Sequence, residues 1–114
     1  MSERGDKECL KDILLACENI LAYKEGYDYD MFLQDGKTQD AIIRNIEIIG
    51  EAVKKVSDNL KSRYESVEWN EIARTRDKLI HAYFGVDLDV VWDIINQDIP
   101  VLRSQIKHIL EKEL

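Results

Sequence analysis

The sequence predicts an all-α domain, an up-and-down bundle of four main helices with the last one broken. Apolar residues recur at three- and four-residue spacing along most of the chain. Five Gly and a single Pro are too few for the turns of an all-β protein. At 114 residues and 45% apolar, the chain has a core's worth of material for one domain, residues 1–114, and little room for a second.

The first helix is predicted from Asp6 to Lys24, with Leu10, Ile13, Leu14, Cys17, Ile20 and Leu21 on one face. Residues 26–37, GYDYDMFLQDGK, read as a loop with one helical turn at Met31–Phe32. A second helix follows from Thr38 to Ser57. Its seam of Ile42, Ile46, Ile49, Val53 and Val56 steps by four, three, four and three, which lets helices pack lengthwise. Ile43 and Ile48 widen this surface beyond one stripe. On so small a chain that suggests a second contact surface, which a homodimer would cover. Residues 57–66 form a connection with a short helical piece, and Ser62 and Glu65 have capping-box spacing. The third helix runs from Trp69 to Phe84 on Trp69, Ile72, Ala73, Leu79, Ile80 and Tyr83, and Gly85 ends it. The fourth starts after Asp87 or Asp89 and carries Val90, Val91, Ile94 and Ile95. Asp98-Ile99-Pro100 offers a cap and a first-turn residue, so a break or kink is expected before Leu102, Ile106, Ile109 and Leu110.

Charge and cysteine usage remove several function classes. A net charge of −7 argues against a general nucleic-acid coat protein. The positive segment is 54–81, where Lys54, Lys55, Lys61, Arg63, Arg74, Arg76 and Lys78 face five acids. It could supply local phosphate contacts, although a bias of this size also arises on any solvated helix face. No apolar run approaches the ~20 residues of a membrane span, and the opening MSERGDKECL is too charged for a secretory signal. A soluble, cytoplasmic chain is expected. Cys9 and Cys17 fall on one helix with Cα atoms roughly 12 Å apart, beyond the reach of a disulfide. Both are expected to be half-buried packing residues in a reducing compartment. His81 and His108 stand apart from each other, with no HxxxH, CxxC or carboxylate cluster. No metal or cofactor site is expected.

One constellation carries chemistry. Arg76 lies four residues after Ile72 and four before Ile80, within the apolar stripe of the third helix. That is an expensive place for a cation, unless the side chain snorkels to the surface. Tyr83 is about 20° round the helix from Arg76 and shares its face. His81 is about 140° away from Arg76, but four residues from Asp77, close enough to touch it. The guanidinium fork matches two phosphate oxygens, and imidazole is suited to proton transfer near neutral pH. Together they suit cleavage of RNA, in which the 2′-OH attacks the adjacent phosphate and the leaving oxygen takes a proton. Two copies of the helix facing across a two-fold axis would remove the awkwardness of the 140° offset.

At these residues the sequence resembles the HEPN superfamily and, within it, the HepT-like toxins. Arg76, Asp77, His81 and Tyr83 match the extended motif R-x4-H-x-Y with a polar residue after the Arg. Arg44 to Ala52, RNIEIIGEA, is similar to the family's second-helix block, and Trp92-Asp93-Ile94 with Asp98-Ile99-Pro100 to its C-terminal segment. The resemblance implies a HEPN-like homodimeric bundle with metal-independent endoribonuclease activity, acting as the toxin of a toxin–antitoxin pair. It implies a partner, a minimal nucleotidyltransferase antitoxin that silences the toxin by adenylylating the motif tyrosine. On that reading Arg76 holds the scissile phosphate, His81 is the acid/base group, Asp77 orients its neighbours, and Tyr83 is the modified residue. Glu51 and Asn45 of the second-helix block are candidates for supporting roles.

Other readings of the same residues stand beside this one. Glu51 is either a solvated helix residue or a partner for Arg76. Tyr83 is either the acceptor or an ordinary core tyrosine. Gly50 in mid-helix points to a close helix–helix approach, since glycine there costs ~1 kcal/mol. The alternative to a ribonuclease is a non-catalytic helical module that binds a nucleotide or a partner through the same cleft. The net charge favours that alternative, because an RNA-cutting enzyme gains from a positive field.

Overall fold

The computed structural model describes residues 5–81 and 87–113, with side chains described for 5–77 and 87–113. The helices, in order, are α1 (Asp6–Lys24), α2 (Tyr29–Leu33), α3 (Gly36–Lys55), α4 (Asp58–Arg63), α5 (Trp69–His81), α6 (Leu88–Asp93), a π-helical segment (Ile94–Asp98) and α7 (Ile99–Glu113). The described residues are all-α, and none of their helices is long and apolar enough to cross a membrane. The α1 boundaries are those the periodicity predicts. α1 lies along both α3 and α7, and α5 packs on α3. The core forms where the stripes meet: Leu10, Ile13, Cys17 and Ile20 of α1 against Ile42, Ile46, Ile49 and Val53 of α3 and Leu102, Ile106 and Ile109 of α7.

Side-chain caps set where the helices begin. Asp35 accepts from Thr38 N at 3.1 Å, so α3 starts at Gly36, two residues before the predicted Thr38. Tyr27 Oη and Thr38 Oγ1 also donate to Asp35, at 2.5 and 2.8 Å, and together these bonds, that of Tyr27 foremost, hold its carboxyl below the usual range. Gly26, at φ +80°, lets the chain turn out of α1 through a conformation side chains disfavour. Asp28 caps α2 through Met31 N, so the expected single turn becomes a short helix. Its Phe32 is fully buried and packs on Trp92 of α6, ring centroids 5.1 Å apart and planes tilted by 32°.

Ser57, not Ser62, caps α4: its Oγ accepts from Leu60 N at 3.2 Å, whereas the Ser62 hydroxyl donates back to Asn59 O. Ser57 has the right position because α3 ends at Lys55 and Asp6 grips it, accepting from its N and Oγ at 2.8 and 2.5 Å. Asp87 caps α6. The expected end of α5 at Phe84–Gly85 lies outside the described residues.

Two further expectations are modified. The chain does not break at Asp98-Ile99-Pro100, since Ile99 keeps helical dihedrals (φ −64°, ψ −44°) and its N–H donates to Ile94 O, five residues back. A local widening of the winding takes the place of a break. The extra width of α3 is largely consumed inside the chain. Ile43 is buried between neighbours and Ile48 alone of the pair stays open, at 38% exposure, because α3 is flanked by α1 on one side and α5 on the other. Of the two residues that widen the seam, Ile48 is the one left on the surface.

Cys9 and Cys17 are fully buried rather than half-buried, and Cys17 is a free thiol. Burial, reinforced by Glu18, pushes the Cys17 thiol up to about 12. At pH 8 the thiol stays protonated, and the reactive thiolate is rare. In a Cys9→Ser variant, an aromatic disulfide reagent should therefore leave Cys17 unmodified in native protein and titrate it fully in denaturant; rapid native labelling would contradict the packing of α1.

Candidate active site

Arg76 sits on α5 four residues beyond Ile72, which is partly buried against the core, so its stem enters the α3–α5 contact. The side chain is 22% exposed. It can lie so low because α3 presents Gly50 at that level, where a Cβ would fall 2.2 Å from Arg76 Cβ. The predicted close helix–helix approach is thus an approach to Arg76 itself.

The guanidinium is not snorkelling freely into water. Its Nη2 donates to Glu51 Oε1 at 3.0 Å and its Nη1 to Asp77 Oδ1 at 3.3 Å. Nε is buried without a hydrogen-bond partner, a cost of about 1–3 kcal/mol in general, and such orphans call for a reason. Glu51 turns out to be both of its alternatives at once: 57% exposed, and a partner of Arg76.

Asp77 is shared. The same Oδ1 that meets Arg76 accepts from Lys54 Nζ at 2.8 Å. Lys54, and after it Arg76, hold the Asp77 carboxyl below the usual carboxylate range, so it stays ionised at neutral pH and is a poor proton donor. The result is a balanced chain of four charges across two helices, Glu51–Arg76–Asp77–Lys54. Lys54 is the member that sequence reasoning missed. A signal existed, since it stands one turn after Gly50, but nothing in the sequence links α3 to α5 at that level.

His81 is the last described residue of α5, and its side chain lies outside what is described. The helix is continuous from Arg76 to His81, so the backbone keeps the offset of about 140° and puts His81 one turn beyond Asp77. Tyr83 lies outside the described residues. Asn45 is not brought to the cluster. It is buried, its Nδ2 donates to Ala41 O at 2.8 Å, and its Oδ1 accepts from Asn19 at 3.3 Å, which ties α3 to α1. Its role in this structure is to satisfy polar groups at that interface.

The family model described as "Ribonuclease HepT-like" matches residues 13–109. The chain is 44% identical over 107 residues to "Probable ribonuclease HepT" of Thermococcus cleftensis, covering 94% of this chain and 97% of that one. It is 42% identical over 104 residues to "Putative RNase TTE0752" of Caldanaerobacter subterraneus subsp. tengcongensis, covering 91% and 93%. It is 39% identical over 111 residues to "Putative RNase MJ0127" of Methanocaldococcus jannaschii, covering 97% and 92%. No solved structure matches. A match over almost all of the bundle, motif helix included, makes this chain a member of the HepT-like ribonuclease family.

Proposed function

We propose that the chain is a metal-independent endoribonuclease and the toxin of a cytoplasmic toxin–antitoxin pair. The observation that carries this reading is Arg76, seated low between two helices with its fork steered by carboxylates, in a chain whose relatives are named ribonucleases. A permanent cation that is still 22% exposed is suited to hold a phosphodiester. His81 supplies proton transfer. As the 2′-oxygen bonds to phosphorus, its proton passes to a neutral imidazole. The bond to the 5′-oxygen breaks, and that oxygen takes up a proton from an imidazolium, the two copies of His81 in a dimer serving as base and acid. Asp77, fixed as a carboxylate, orients its neighbours and cannot replace His81 as the acid. DNA lacks the attacking hydroxyl and is spared.

A homodimer completes the site. One helix cannot aim Arg76 and His81 at a single phosphate across about 140°, whereas two α5 helices facing across a two-fold axis can pair Arg76 of one copy with His81 of the other. Control falls to Tyr83, whose oxygen takes AMP from ATP in a reaction run by a minimal nucleotidyltransferase antitoxin, with release of pyrophosphate. The new phosphodiester would compete with RNA for Arg76.

The second reading, a non-catalytic module binding a nucleotide or partner, is favoured by the net charge of −7 and by the balanced charges around Arg76. Activity separates the two. His81→Ala should lower RNA cleavage by about 10²–10⁴-fold with the fold intact, and Arg76→Ala should weaken RNA binding as well. Wild-type cleavage should persist in EDTA and leave a 2′,3′-cyclic phosphate; strict dependence on a divalent metal would refute the mechanism.

Light scattering at micromolar concentration should give the mass of a dimer, and a monomer would remove the composite site. When the protein is co-expressed with a nucleotidyltransferase partner, intact-mass spectra should show AMP additions. These should vanish in Tyr83→Phe, which should still cut RNA. Additions that persist in the variant would place the acceptor elsewhere.

A further inference from the structure

The block from Arg44 to Ala52 takes no direct part in the chemistry above, yet it contains a mid-helix glycine whose surroundings are specific. A Cβ at Gly50 would stand 2.2 Å from Arg76 Cβ, 2.4 Å from Cγ and 3.3 Å from Cδ. By contrast, a Cβ at Gly36 or Gly5 would meet nothing within 4 Å. Because the nearest obstacle is Cβ, which follows the backbone, no change of rotamer relieves the overlap. α5 itself would have to move. One residue after Gly50, Glu51 holds Nη2 of Arg76 at 3.0 Å. One turn after Gly50, Lys54 holds at 2.8 Å the Asp77 oxygen that Nη1 also reaches.

We propose that Gly50 and Lys54 are positioning residues for Arg76: Gly50 seats its stem and sets how far the guanidinium stands out of the helix interface, and Lys54 pins Asp77 against its Nη1 edge. The inference rests on the reading of Arg76 as the phosphate-binding group. It gives the second-helix block a task, which is to aim the arginine of the motif helix. Errors of about 1 Å in such placement can cost 10²-fold in rate. Lys54 acts through Asp77 and touches no reacting atom.

The test follows Arg76 directly and RNA separately. In ¹⁵N-labelled full-length protein, the Arg76 Nε–H signal, assigned by its loss in Arg76→Ala, should be shielded from solvent exchange because Nε is buried. Gly50→Ala should shift this signal, expose it to exchange, and reduce RNA cleavage at least tenfold through kcat. Lys54→Gln should shift it in a protein that melts as wild type does and reduce cleavage several-fold, and Lys54→Arg should restore both. Should Gly50→Ala fail to fold, the Lys54 pair carries the test alone. An unshifted Arg76 signal with wild-type cleavage in either Gly50→Ala or Lys54→Gln overturns the proposal. If the wild type cuts no RNA, the ribonuclease reading fails, while the Arg76 signal in the variants still decides whether α3 positions this side chain.

Discussion

The near-touching of α3 and α5 at Gly50 and Arg76 governs the rest of the site. α5 carries the motif and packs chiefly on α3, so the position of its side chains is set by that one interface. Glycine in a helix interior costs about 1 kcal/mol. Burying the three methylenes of an arginine stem returns about 0.8 kcal/mol each at most, which the glycine and the unpartnered Nε, at about 1–3 kcal/mol, largely offset. Ion pairs as exposed as those of Glu51 and Lys54 contribute about 0–1 kcal/mol. Their effect is on direction rather than on stability.

The same cluster reconciles an acidic chain with phosphate chemistry. Two cations and two carboxylates alternate, so the site presents little net field to an approaching polyanion. A chain of charge −7 gains little from long-range steering. On the reading proposed above, what Arg76 offers is short-range: a partly dehydrated guanidinium whose internal partners would be exchanged for phosphate oxygens.

Helix identity was legible because the periodicity is strong and the caps are local. α1 was read to the residue, and the seam from Ile42 to Val56 is buried throughout. The misreadings lie where a local pattern competes with a tertiary contact. Ser62 has capping-box spacing, but the end of α3 and the grip of Asp6 give that place to Ser57. Ile43 looked like surplus apolar surface because a sequence does not show that α3 lies between two neighbours. In the site, Arg76 and Asp77 were legible from wheel position and motif, and Glu51 as one of two options. Lys54 was not, because its partner is 23 residues away on another helix.

The π-helical segment before Pro100 has a consequence for the phase of the last helix. Its core residues Val91, Ile95 and Ile99 are spaced by four and four, and Leu102, Ile106 and Ile109 then by three, four and three. In an ordinary α-helix two successive steps of four advance about 80° around the axis, and the later steps of three, four and three return the stripe to its starting line. The wider turn over Ile94–Asp98 shifts the phase of the residues after it relative to those before it, and both sets are buried in the core. It also leaves room ahead of a proline, which lacks the N–H that regular winding would use. The segment thus behaves as a one-residue insertion accommodated by winding instead of by a loop. Deleting one residue from it would bring the helix back toward ordinary pitch, with the buried stripe kept in step on either side.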